Sequence, residues 1–89
     1  MAAIRSGRAS AYATSISGAL NFAWDANPGG DSVTNYRIYY GSASGIYVNW
    51  VDVGNVTSYS MANPGGTNYY AITAQNANGE SAFSNELFR

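Results

Sequence analysis

Few residues in this chain are suited to chemistry. Its charge comes from five carboxylates (Asp25, Asp31, Asp52, Glu80 and Glu86) and four arginines, and it has no histidine, lysine or cysteine. That composition removes the commonest general base and metal ligand, and with them the amine and thiolate nucleophiles. It also leaves neither a disulfide framework nor a thiolate metal site to supply stability, so cysteine usage says nothing of the redox compartment. The carboxylates do not form a catalytic pair. Asp25, Asp31 and Asp52 fall in different turns or strands, while Glu80 and Glu86 belong to the last hairpin. Asp25 and Asp31 read as turn caps. Calcium held by "DANPGGD" (25–31) would have two carboxylates and some carbonyls, fewer ligands than calcium takes. The expectation is a protein that is not an enzyme, with no catalytic residue, metal site or cofactor.

The net charge of −1 provides no basic field to hold a phosphate backbone, which disfavours nucleic acid. No window approaches eighteen apolar residues, and the opening "MAAIRSGRASAYATSISGAL" lacks the apolar stretch of a secretory signal. The expectation is a soluble chain with no membrane partner, not exported by that route.

What the chain has in quantity is aromatic side chains. "YRIYYGSASGIYVNWVDVG" (36–54) packs Tyr36, Tyr39, Tyr40, Tyr47 and Trp50 into one short stretch. A chain of 89 residues buries about 60–65% of its unfolded surface, enough for one modest core. Because a strand buries only alternate side chains, some of these rings must face outward.

The elements that position them are strands. Ten glycines and ten asparagines punctuate short runs of Val, Ile, Tyr, Phe and Thr, the pattern of many short strands joined by tight turns. "ALNFAWDA" alternates, with Leu20, Phe22 and Trp24 on one face. "NPGGD" (27–31) turns the chain. "SVTNYRIYY" (32–40) sets Tyr36, Ile38 and Tyr40 against Arg37 and Tyr39. After "GSASG", "IYVNWVDV" sets Ile46, Val48 and Trp50 against Tyr47, Asn49, Val51 and Val53; both faces are apolar, so alternation does not choose between them. "GNVT" turns, "SYSMA" is a short strand, and "NPGG" (63–66) is a corner. "TNYYAITAQNANG" and "ESAFSNELF" read as a hairpin closed at "NANG". Residues 1–9 read as an arm, with Arg5 and Arg8 and no acid. Residues 10–89 form the domain, whose first strand covers about 10–16. Strands at this spacing indicate an all-β, two-sheet antiparallel sandwich.

From Leu20 to Leu87 the order "LNFAWDANP", "VTNYRIYYGSASGIY", "VDVGNVTSYSM", "NPGGTNYYAITAQNANGESAFSNEL" resembles a fibronectin type III domain of the bacterial and phage kind. The resemblance implies an immunoglobulin-like sandwich of about seven strands, A, B and E facing C, C′, F and G. One departure stands out. The family anchors the corner before its F strand with a tyrosine and a leucine. Here, counting back from Ala74 through Ile72 and Tyr70 lands on Asn68. Either Tyr69 serves or the corner is built differently, and Met61 is the available substitute for the leucine. A tighter, less anchored turn is expected. The Arg-Gly-Asp of animal integrin-binding members is absent.

Trp24, Tyr36, Ile38, Tyr40, Tyr70 and Ile72 fall on inward positions. Tyr39, Tyr69 and one of Tyr47 or Trp50 fall outward on strands that share a sheet in the family fold. A gathered aromatic face has three readings: cross-strand pairing with no partner, a protein–protein surface, or weak glycan binding by sugar stacking. The low charge favours the second. The candidate protein-binding residues are Arg5, Arg8 and Tyr12 near the N-terminus with Tyr39, Tyr47, Trp50 and Tyr69. Read as a complete one-domain chain, the sequence fits a virion structural protein, a phage capsid decoration or tail accessory protein that binds a repeating protein lattice or sister copies. The alternative is a spacer or glycan-binding module of a secreted bacterial polysaccharide-degrading enzyme or cell-surface protein, which would place it outside the cell or at its surface.

Overall fold

The computed structural model describes residues 11–16, 18–25, 33–77, 79–81 and 83–89, without the side chains of residues 12, 15 and 16. The arm, Arg5, Arg8, Asp31 and the "NPGGD" turn lie outside this set, and of Tyr12 only the backbone is described. Two antiparallel sheets carry the fold. One has the order β1 (Ala11–Ile16), β2 (Ala19–Trp24), β5 (Ser58–Ala62); the other has β4 (Asn49–Gly54), β3 (Asn35–Gly41), β6 (Tyr69–Asn76), β7 (Gly79–Glu80), with β8 (Leu87–Phe88) also on β6. This is the expected division of strands between two sheets.

The core follows from alternation. Leu20, Phe22 and Trp24 of β2 face Tyr36 and Ile38 of β3 and Tyr70, Ile72 and Ala74 of β6, all buried in one cluster. Phe22 tilts against Tyr70 with ring centroids 5.2 Å apart, Trp24 against Tyr36 at 5.6 Å, and Tyr40 stacks on Tyr70 at 5.6 Å. Each such pair adds about 0.5–1.5 kcal/mol beyond the area it buries. Val51 and Val53 pack against this cluster, which selects the face of β4 that alternation left open.

Three local differences from the sequence reading have physical causes. First, β4 begins at Asn49 rather than Ile46, because Ile46 N–H donates to the Ala43 carbonyl at 3.1 Å and closes a tight turn after β3. Second, the last strand is broken into β7 and β8, giving eight strands among the described residues. The Ala74 and Ile72 N–H groups donate to the Ser81 and Ser84 hydroxyls, both at 2.9 Å, where a regular strand would offer carbonyls. Third, the turn from β5 to β6 is well anchored, contrary to expectation. Asn68 Nδ2 donates to the Gly65 carbonyl at 3.1 Å, Asn63 Oδ1 accepts from Gly65 N–H at 2.9 Å, and the Asn68 and Arg89 backbones exchange two hydrogen bonds. Asn68 thus does at this corner what a tyrosine hydroxyl does elsewhere, and Met61 packs half-buried against the core. Tyr69 serves no such role; its ring lies 4.7 Å from that of Phe88.

Among the described residues, the Tyr70 hydroxyl and Trp24 Nε1 are buried without a hydrogen-bond partner. An unpaired buried hydroxyl costs about 1–3 kcal/mol. Tyr70→Phe should therefore leave stability unchanged or raise it by about 1 kcal/mol; a urea midpoint well below that of the parent would show that the hydroxyl is satisfied in solution.

Candidate protein-docking face

The outer face of the β4–β3–β6–β7 sheet collects the leftover aromatics. Trp50 lies opposite Tyr39 in the β4–β3 register, and Tyr39 opposite Ala71 in the β3–β6 register. Their outward side chains therefore form one row. Trp50 and Tyr39 meet with ring centroids 6.4 Å apart, and Phe83 meets Tyr39 edge-on at 5.3 Å. Because Tyr39 and Phe83 stand on opposite sides of β6, their contact bridges that strand, and Ala71 and Thr73 are buried although they point away from the core. Tyr47 joins the same cluster, 4.9 Å from Phe83. It precedes β4, so strand alternation does not bind it, and both Tyr47 and Trp50 end on this side. Tyr69 points outward too, but its ring partner is Phe88. Of the expected residues the structure brings together Tyr39, Tyr47 and Trp50, and adds Phe83, which the sequence reading missed.

Polar groups lock these rings. Tyr39 donates to Glu80 Oε2 at 2.6 Å, and Thr73 donates to the same oxygen. The Arg37 guanidinium sits 4.1 Å from the Trp50 ring centre, where cation–π attraction holds it, and Nε is 3.8 Å from Asp52. Glu86 gathers the Ser44 hydroxyl, the Gly45 N–H and the Tyr47 hydroxyl. These three donors, the Ser44 hydroxyl first, hold the Glu86 carboxyl below its ordinary range. Burial, and then the hydrogen bond to Glu86, pushes the Tyr47 hydroxyl up to about 12. Burial also raises Tyr39, with the hydrogen bond to Glu80 acting the same way.

Two pH effects follow. Glu86 is depressed in the folded state, so its contribution is complete above the ordinary carboxylate pKa of about 4.3 and is lost as pH falls through the lower folded value. Tyr47 is raised, so its contribution is complete below about pH 10 and is lost as pH rises through about 12. A phenolate absorbance titration should contain a component near 12 that moves down in Glu86→Gln. Its persistence in that variant would show that Glu86 does not hold Tyr47.

Trp50 and Phe83, which both touch Tyr39 in this cluster, are 52% and 49% exposed, and Ile46 and Val48, the sequence neighbours of Tyr47, are 62% and 75% exposed. Among the described residues no group of three or more acidic, histidine or cysteine side chains is placed to hold a metal. Among them, too, no helix is long and apolar enough to cross a membrane.

No protein-family model matches the chain, and no curated protein sequence does. Solved structures do. The FN1–FN3 domains of chicken CNTN1 align with 94% of this chain and 31% of that one, at 20% identity and a TM-score of 0.75. A structure of titin kinase and its flanking domains aligns with 96% of this chain and 16% of that one, at 22% identity and a TM-score of 0.71. The chain thus spans less than a third of either, and at these identities the likeness is one of fold. The protein has the two-sheet sandwich fold of a fibronectin type III domain.

Proposed function

We propose that this protein is a non-catalytic docking module whose partner is another protein, bound through the outer face of the β4–β3–β6–β7 sheet. The observation that carries this reading is the Tyr39–Tyr47–Trp50–Phe83 ring cluster, whose Trp50 and Phe83 stand half in solvent beside rings already fixed in place. Contiguous exposed apolar surface marks contact sites, and Trp and Tyr dominate binding hot spots. A pre-fixed ring also loses less side-chain entropy on binding. The setting we propose is a repeating protein lattice, that of a virion capsid or tail, where the module is displayed in many copies and reinforces the shell. The low charge of the chain suits such close, lasting packing.

Glycan stacking is less well supported. A flat sugar needs an open ring face, preferably in a coplanar row. Here Arg37 covers one face of Trp50, and the ring pairs are inclined at 41°, 84° and 67°.

Binding of purified protein to particles from its native source tests the proposal. Val48→Arg should weaken binding at least tenfold, about 1.4 kcal/mol, while Ser60→Arg on the exposed side of the opposite sheet should leave it unchanged. Equal binding by both variants would remove Val48 and its surroundings from the interface.

A further inference from the structure

We propose that the open edge of β4 pairs with β4 of a second copy of this chain, antiparallel about a twofold axis at Val51, so that one sheet runs through both molecules. The contact is made by a strand edge and not by the ring cluster. It therefore holds or fails separately from the proposed docking face.

The ladder fixes which backbone groups face outward. Asn68 and Arg89 exchange hydrogen bonds, and the Ile72 and Ala74 carbonyls accept from the Ser84 and Ser81 N–H groups, so the even-numbered residues of β6 turn toward β7 and β8. In an antiparallel ladder the bonded pairs alternate. Ala71 and Thr73 therefore bond Tyr39 and Arg37, which turns Ile38 and Tyr40 to Val51 and Asn49. Trp50 and Asp52 are left with N–H and C=O at the open edge. Among the described residues no backbone hydrogen bond reaches them there. With Asp52 opposite Arg37 and Gly54 opposite Tyr36, Val53 is a bulge that ends the regular edge.

The other edges are closed or offer little. Asn85 occupies both backbone groups of Ala11, its Oδ1 accepting from the N–H at 2.8 Å and its Nδ2 donating to the carbonyl at 2.9 Å, and Arg89 Nε donates to the Ala13 carbonyl at 3.0 Å. Side chains thus stand where a strand would add to β1. β7 and β8 are two residues each. Trp24 N–H donates to the Thr57 carbonyl and Asn63 N–H to that of Gly18, so the same alternation turns Ser58, Ser60 and Ala62 to the open edge of β5. Their small side chains give a partner little to select. β4 carries Trp50 and Val51, with no proline or lysine to guard the edge.

Charge selects the occupant and its register. Trp50 and Asp52 lie two residues apart, so an axis at Val51 sets Trp50 against Asp52 of the copy and Asp52 against its Trp50, each pair exchanging both bonds. Asp52 of the copy then stands beside the ring that Arg37 covers at 4.1 Å, and Val51 meets Val51. A slide of two residues one way sets Asp52 against Asp52, and like charges directly opposite destabilise a pair. The other way sets Asp52 against Val48, away from Arg37. A slip of one residue turns the bonding groups away. An acid beside Trp50 and a tryptophan beside Asp52 are what the edge asks for, and β4 itself supplies both.

The chain has no cysteine, so single variants report the contact. Val51→Cys, oxidised in solution, should give a disulfide-linked dimer at least tenfold faster than Ser60→Cys, although Ser60 is exposed and Val51 only partly so. Facing Val51 residues would have Cα atoms about 4.5 Å apart, within disulfide reach. Asn49→Cys, whose two copies fall about 13 Å out of step, should match Ser60→Cys, and adding Asp52→Arg to Val51→Cys should remove its advantage. Equal rates for Val51→Cys and Ser60→Cys would overturn the pair, and Asn49→Cys as fast as Val51→Cys would overturn its register. In the parent chain, amide exchange at Trp50 and Asp52 should slow as chain concentration rises while that at Ser60 does not, a readout that survives misfolding of Val51→Cys. Slowing only on addition of particles from the native source would give the edge to a strand of another protein and overturn the second copy. Preferential Val51→Cys dimers with particle binding indifferent to Val48→Arg would keep the pair and remove the docking face. Equal dimer rates with particle binding lost in Val48→Arg would remove the pair alone.

Discussion

Phe22→Ala should lower the unfolding free energy by about 3–5 kcal/mol, the cost of removing a fully enclosed aromatic ring and leaving a cavity that the sheets do not close. Phe22 sits in the middle strand of the smaller sheet, between Ala13 of β1 and Tyr59 of β5 in the register, and its ring leans on Tyr70 across the core. Neighbours on three sides are fixed by backbone ladders, which limits collapse into the void. A domain this size has about 5–15 kcal/mol in total, so the variant loses about a fifth or more and should unfold at a lower temperature than the parent. Phe83→Ala is the comparison, because that ring is half in solvent and its removal opens no cavity. Urea unfolding of the two side by side decides the matter. A loss below about 1.5 kcal/mol for Phe22→Ala would mean that the core is looser than its burial indicates.

The second large effect is expected at Gly41. A Cβ there would stand 2.2 Å from the Ile46 carbonyl oxygen and 3.3 Å from both the Ile46 carbonyl carbon and the Tyr47 Cα. All three are backbone atoms and cannot swing aside as a side chain would. Gly41→Ala must therefore push the 42–47 turn away from β3, strain the Ile46 to Ala43 hydrogen bond, and pull Tyr47 from Glu86 and Phe83. Overpacking of this kind costs about 1–3 kcal/mol, and here the damage falls on the proposed docking face. The phenolate component near 12 should move toward ordinary tyrosine values, and particle binding should fall with it. Gly45→Ala separates space from conformation: φ is +75° but the added carbon meets nothing, so it should strain the turn locally and leave Tyr47 in place. An unchanged Tyr47 titration in Gly41→Ala would show that the turn gives way without disturbing the face.

Legibility in the sequence tracked how strictly each segment obeys strand alternation. Leu20, Phe22 and Trp24, and likewise Tyr70, Ile72 and Ala74, were readable as core because both segments are regular strands with one buried face. The stretch 46–53 was ambiguous because Val51 and Val53 compete with Val48 and Trp50 on hydrophobicity alone. Which side is inward depends on the turn that Gly41 permits, a fact of backbone contact rather than of composition. Phe83 was missed for a related reason. Read as a continuous strand, "ESAFSNELF" gives it no special place. In the fold the Ser81 and Ser84 hydroxyls replace carbonyls in the ladder, and the segment between them carries Phe83 over β6. Two serines three residues apart in a final strand were the available signal. The corner is the converse case: counting back from Ala74 found Asn68 at the anchoring position, but a missing tyrosine was read as a missing anchor, although the Asn68 amide donates to the Gly65 carbonyl at 3.1 Å.

The central claim is that this sandwich works by lying against other protein subunits through one sheet face. Its most direct test is the sedimentation of the 9.4 kDa chain from its native source, alongside Val48→Arg expressed in the same background. The account predicts many copies of the parent sedimenting with a large particle and the variant left in the light fraction. A parent chain that runs as a free monomer, or a variant that sediments with the particle as well as the parent does, would contradict it.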